Sequence, residues 1–312
     1  MIYAPMRIFL TGATGYIGGA VLDALVKAGH VVTALVRDKE KARRVAKRGG
    51  HPVVGNLGEP ESFRSAADAQ DGYVLAAFDQ QSNRGPQIDR AAIDTILASA
   101  RRPRTAPVSA AAKRFVIYTS GTWVLGQSPD PSNEDAPVNP TPIAAWRPAH
   151  EALILAAASD QLRTVVVRPG NVYGSGRGMI SDLLKMASNG LVRVVGDGNN
   201  HWPLIYDRDL ADLYAKLAAN PSASGVYHAN DEGDERVNDL IAAIKPHVSL
   251  RPDVRYVPLD EARSKLGPAA DAMALDQVIR SPRARALGWT PTLHSVAGNA
   301  ARLLEEWRSA NA

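Results

Sequence analysis

The sequence predicts an α/β protein, with a doubly wound parallel sheet followed by a smaller α/β C-terminal domain. Three observations carry that expectation. The first is Thr11–Gly18, reading TGATGYIG between the apolar run Met6–Leu10 and the amphipathic stretch Ala20–Val26. The second is the return of short aliphatic runs at Val31–Val36, Tyr73–Phe78, Phe115–Thr119 and Arg163–Arg168, separated by longer stretches, several of helical spacing. The third is length: 312 residues, 45% hydrophobic, are enough for about two domains with buried cores.

Composition narrows the classes. There is no cysteine, so disulfide frameworks and thiolate metal sites are excluded, and a cytoplasmic protein is expected. No apolar run approaches the ~20 residues of a bilayer span, and the chain enters its first strand too early for a signal peptide. The formal net charge of +4 is modest. Six basic residues fall between Lys39 and Arg48, and Arg101, Arg102 and Arg104 form a second group. Neither is interleaved with aromatics, so no nucleic-acid partner is expected, and no membrane partner either. The sequence carries no internal repeat, no metal-ligand cluster and no nucleophile elbow.

Thr11–Gly18 reads as a strand–glycine turn–helix unit. Gly12 supplies the angles of a tight turn, Gly15 lets the main chain approach a pyrophosphate, and Gly18 lets the helix pack on the strand. Phosphates then sit at the helix N-terminus, among its unpaired N–H groups. Thr14, Tyr16 and Ile17 share that turn and are expected to touch the cofactor with the three glycines. The bland alternative is a plain glycine-rich turn. The spacing TGxxGxxG resembles the extended and atypical branches of the short-chain dehydrogenase/reductase superfamily, the epimerase/dehydratase-like proteins. That resemblance implies a Rossmann domain over 1–170 plus about 204–230, and a substrate-binding domain over 171–203 and 231–312.

The second strand ends at Val36, where NAD-specific folds carry an acidic residue, and Arg37 follows at once. A guanidinium there grips a 2′-phosphate with charge-assisted bonds of about 1.5–3 kcal/mol each. NADP is therefore expected over NAD, with Lys41, Arg43 or Arg44 adding positive field. Asp38 serves either a ribose or the next helix as its N-cap. By resemblance, Asn56 and Leu57 border the adenine, although Asn56 equally suits a structural turn. Ala76 and Ala77 are small enough for the chain to pass beneath the cofactor. The family's NxxGT pattern falls on Ala91–Thr95 without its Asn. The helix of about 86–101 packs against a second subunit, as family dimers do, or against the core.

The chemistry-bearing stretches depart from the family. Ser120-Gly121-Thr122 through Gly126 resembles the stretch ending in Val-Tyr-Gly, and its catalytic Ser or Thr falls on Gly121. The hydroxyls of Ser120 and Thr122 flank that position, as substrate contacts or strand-end caps. The polar, proline-rich Asn133–Pro142 resembles the loop before the catalytic helix, expected here over about Ala145–Ser159. Its YxxxK register falls on Trp146 and His150. An indole N–H donates without titrating, so Trp146 is a substrate contact at most. An imidazole ordinarily titrates near ~6.5; His150 is expected to touch the cofactor or transfer a proton.

Arg168–Gly174, RPGNVYG, resembles the family's sixth-strand signature. It implies that Pro169, Asn171 and Val172 lie beside the nicotinamide and that Asn171 and Tyr173 face the substrate. His201 and Trp202 belong to a loop resembling the one that closes the substrate pocket, with Asp207 as a helix N-cap. The resemblance implies a small-molecule substrate. Three functions follow from it: an NADP-dependent oxidoreductase on a small or sugar-like carbonyl or alcohol, a non-catalytic NADP(H)-binding redox sensor, and a nucleotide-sugar epimerase or dehydratase.

Overall fold

The computed structural model describes residues 5–79, 83–103 and 113–311. The expected Pro/Arg/Ala-rich loop over Arg101–Lys113, with Arg104, lies largely outside the described residues. Two compact units make up the chain. Unit 1 comprises Met1–Ser120, Ala149–Val167 and Leu210–Tyr227; unit 2 comprises Gly121–Pro148, Arg168–Asp209 and His228–Ala312.

Seven strands form one sheet: β1 (Arg7–Thr11), β2 (Val31–Val36), β3 (His51–Val54), β4 (Gly72–Leu75), β5 (Arg114–Thr119), β6 (Leu162–Pro169) and β7 (Gly225–Ala229). Their order is β7-β6-β5-β4-β1-β2-β3. The pairs β1–β2, β1–β4, β2–β3, β4–β5 and β5–β6 are parallel. Leu10 pairs with Ala34 on one side and Val74 on the other. The order therefore reverses at β1, the point where doubly wound folds bind ligands beyond the strands' carboxyl ends. Apolar runs form the central strands because both faces are covered there: Ile8, Phe9, Leu10, Val74, Val116, Ile117, Val165 and Val166 are fully buried.

The helices that position the site are α1 (Tyr16–Lys27), α2 (Lys39–Lys47), α3 (Gly85–Arg101), α4 (Arg147–Ala156) and α5 (Asp207–Ala219). α3 buries Ile93, Ile96, Leu97 and Ala100 against Tyr73, Tyr118 and Ile154 in the unit 1 core. Its solvent face carries the Arg90–Asp94 ion pair at 2.9 Å. α4 is shorter at both ends than the expected Ala145–Ser159, and a separate 3-10 turn at Pro142–Ala144 precedes it. Trp146 consequently stands just before the first helical residue.

Unit 2 has its own core, where Tyr173, Leu183, Trp202, Leu204, Tyr206, Leu240 and Leu303 pack together. The helix expected over Glu235–Pro246 is divided: Glu235–Arg236 pairs with His201–Trp202, and the helix runs Val237–Ile244. Asp207 is the first helical residue of α5 rather than its N-cap, and its carboxylate accepts from Ser175 Oγ at 2.6 Å. No helix among the described residues is long and apolar enough to cross a membrane.

A candidate cofactor and catalytic site

The glycine turn in unit 1 is crowded in a way that only glycine permits. Gly12 has φ +80°, and a Cβ there would lie 2.6 Å from the Ala76 carbonyl oxygen. A Cβ on Gly18 would lie 2.2 Å from the Gly12 carbonyl oxygen. Gly15 is different: it is exposed, and its added Cβ would meet only Gly12 O, at 3.1 Å. The outer side of Gly15 is thus clear for a ligand, while Gly12 and Gly18 hold the turn against the sheet. Thr11 completes the packing, because its buried Oγ1 accepts from the N–H groups of both Ala76 and Ala77 at 3.2 Å. The loop leaving β4 is thereby fastened beneath the turn.

α1 begins at this turn with no side-chain cap on Gly15 and no acidic residue in its first turn. Its leading N–H groups and positive dipole end suit an anion. α2 contrasts with it: Asp38 caps that helix, accepting from Lys41 N–H at 2.8 Å and pairing with Lys41 Nζ at 2.5 Å. The Lys41 bonds hold the Asp38 carboxyl below its ordinary range. Of the two roles open to Asp38, the structure shows the cap. Arg37 beside it is exposed and has no hydrogen-bond or ion-pair partner among the described residues. The donor set therefore fits a dinucleotide phosphate group: backbone N–H groups for the pyrophosphate and an uncommitted guanidinium at the tip of β2. Asn56 sits in a tight turn, its Oδ1 accepting from Gly58 N–H at 3.0 Å and its Nδ2 reaching Glu59 at 3.2 Å. Leu57 packs half-buried against the unit 1 core.

Two catalytic candidates belong to unit 1. Ser120 follows directly on β5, its N–H donating to Val167 O at 2.7 Å. Its Oγ is buried with no hydrogen-bond partner among the described residues. A buried hydroxyl left without a partner costs roughly 1–3 kcal/mol, so Ser120 Oγ is able to take up a hydrogen bond to a ligand. His150, on α4, is buried, and its Nδ1 lies 2.7 Å from Asp89 Oδ2. The same carboxylate oxygen accepts from Tyr118 O–H at 2.8 Å.

Unit 2 holds the remaining candidates. Thr122 opens a 3-10 turn and also has a buried Oγ1 without a partner among the described residues. Gly121 is extended, and a Cβ there would meet nothing closer than Pro169 O at 3.9 Å. Steric exclusion therefore does not explain the missing side chain. Trp146 is half-buried beneath the Arg147 guanidinium, 4.4 Å from its ring centroid. Pro169 closes β6, Asn171 and Tyr173 are buried on the short strand after it, and Val172 is half-buried.

The expected substrate contacts in unit 2 are committed internally. Tyr173 O–H donates to Asp231 at 3.3 Å, and burial together with Asp231 pushes the phenol well above its ordinary range. His201 Nδ1 meets Asp276 at 2.7 Å, and its Nε2 accepts from Arg236 at 3.3 Å. Trp202 Nε1–H donates to Met273 O at 3.0 Å.

Sequence reasoning passed over Asp89, Tyr118 and Thr11. A signal for Asp89 existed: it falls with Ala92, Ile93, Ile96 and Ala100 on one helical stripe, an acid placed on an apolar face.

Residues 8–230 match the NAD dependent epimerase/dehydratase family. The chain belongs to that family. It is 28% identical over 259 residues to a 2-alkyl-3-oxoalkanoate reductase of Stenotrophomonas maltophilia, covering 77% of this chain and 76% of that protein. Among solved structures, it resembles a human epimerase family protein, SDR39U1, with NADPH, at TM-score 0.77 and 18% identity over 96% of this chain and 99% of that one. It also resembles a Thermus thermophilus UDP-glucose 4-epimerase with NAD, at TM-score 0.78 and 19% identity over 98% and 100% of the two chains. At such identities the structures establish the fold, a Rossmann-like α/β architecture, and nothing finer.

Proposed function

We propose that this family member is an NADP-dependent oxidoreductase acting on a carbonyl or its alcohol. The observation that carries the reading is a pairing within unit 1: an open, uncapped glycine turn together with the unpartnered Ser120 hydroxyl at the end of β5. The reductase-named relative supports the same direction and suggests 3-oxo acids beside sugar-like carbonyls as the first substrates to test.

Residue roles follow from the donor set. The N–H groups at the start of α1, flanked by Thr14, Tyr16 and Ile17, hold the pyrophosphate. Arg37 holds the 2′-phosphate, which is the basis for NADP over NAD. When bound, the nicotinamide supplies or accepts hydride. Ser120 orients the substrate oxygen through a hydrogen bond, and His150 supplies the proton that the family's tyrosine would otherwise carry.

A second reading is favoured by the simultaneous replacements at Gly121, Trp146 and His150: an NADP(H)-binding sensor without turnover. One experiment separates the two. NADPH affinity is measured by calorimetry, and its oxidation is followed by near-ultraviolet absorbance against 3-oxo acids, aldoses and simple ketones. Tight binding with turnover of one class is the expected result. Tight binding with no turnover of any class favours the sensor, and absence of binding contradicts both readings.

A further inference from the structure

We propose that Asp89 is a positioning residue for His150, fixing the imidazole's tautomer so that His150 acts through Nε2. The inference rests on the oxidoreductase reading for its purpose and on unit 1 geometry for its substance.

The three groups come from separate elements. Asp89 lies on α3, Tyr118 on β5 and His150 on α4, and they are 3%, 1% and 7% exposed. Both contacts converge on Asp89 Oδ2, at 2.8 Å from Tyr118 Oη and 2.7 Å from His150 Nδ1. A buried acid on an otherwise apolar helix face is unfavourable unless donors surround it. Here two donors do, one of them the imidazole.

Consequence follows from hydrogen-bond chemistry. An ionised carboxylate only accepts, so the Nδ1 that meets it carries hydrogen. The other ring nitrogen, Nε2, is then the one through which His150 exchanges a proton. The Tyr118 bond holds the carboxylate from a second direction, so the imidazole plane is set by β5 as well as by α3. Carboxylate-oriented histidines of this kind serve as acid–base groups because the carboxylate both selects the tautomer and stabilises the imidazolium that forms. A lysine at this position, as in the family pattern, would need no such partner, because an ammonium has no tautomers.

The test uses the full-length protein carrying nitrogen-15 histidine, with D89N and Y118F variants. The wild-type His150 ring is expected to show a single tautomer protonated at Nδ1. D89N, nearly isosteric, is expected to show mixed tautomers, because an amide donates as well as accepts. Its kcat is expected to fall ~10²-fold or more, with NADPH affinity within about threefold of wild type by the affinity scale. Y118F is expected to keep the Nδ1 proton and lose less, about tenfold. A wild-type ring protonated at Nε2 instead, or D89N retaining a single tautomer and full kcat, overturns the assignment. The spectroscopic arm needs no substrate, so a protein without turnover would overturn the oxidoreductase reading while leaving the Asp89–His150 geometry independently tested. Should D89N fail to fold, the wild-type tautomer and Y118F decide the matter.

Discussion

Gly18 has no room for a side chain: an added Cβ would sit 2.2 Å from the Gly12 carbonyl oxygen, which is main chain and cannot swing aside. Gly18→Ala is therefore expected to weaken NADPH binding by ~10²-fold and to destabilise by roughly 1–3 kcal/mol, read by calorimetry and thermal melting. Gly121 makes the opposite prediction. With extended backbone and open space to 3.9 Å, Gly121→Ser is expected to leave stability within about 0.5 kcal/mol of wild type. It also returns a hydroxyl to the position where the family carries one, so a rise in turnover is the expected kinetic readout. Asp231 yields a pH prediction. Burial pushes its carboxyl up to about 7. A carboxyl raised in the folded state contributes stability that is complete below its unfolded value near ~3.9 and is lost as pH rises through the folded value. Asp231→Asn is therefore expected to raise the melting temperature more at about pH 8 than at about pH 4, with a difference on the order of 5 °C. An equal effect at both would remove the assignment.

At the scale of elements, the β2–α2 junction carries the proposed preference for NADP. Asp38 is occupied as the cap of α2, and Arg37 is left to face solvent. Arg37→Ser is expected to lower NADPH affinity by roughly ten- to a hundredfold and to leave NADH affinity nearly unchanged, the loss of one or two charge-assisted bonds. Comparative titration of the two cofactors checks it. The central strands were legible because burial on both faces gives each an apolar centre, Ile8–Leu10 in β1 and Val165–Val167 in β6. Ser128–Ser132 was not legible. Its sequence, SPDPS, is polar and holds two prolines, and it becomes a strand only by parallel pairing with Gln277–Ile279 from far along the chain. The division of the Glu235–Pro246 segment has the same cause, a partner at His201–Trp202 that no local pattern reveals.

For the whole molecule, the family was legible from TGATGYIG and RPGNVYG, the first because a glycine turn between strand and helix demands glycine at fixed spacing. The Asp89–His150 pair was hidden because it joins residues 61 apart on different helices. Unit 2 is likewise assembled from three separated segments, a partition that follows from long-range packing rather than from any linker composition. The substitutions at the family's Ser, Tyr and Lys positions were plain in the sequence; what they mean depends on whether His150 carries the proton. Transfer of deuterium from NADPH labelled at nicotinamide C4, followed by mass spectrometry of the product for wild type and His150→Phe, tests that most directly. The account predicts label on the former carbonyl carbon with wild type, and a ~10²-fold or greater loss of transfer in the variant with cofactor still bound. Cofactor bound by both proteins with no label transferred by wild type, or with equal transfer by the variant, would contradict it.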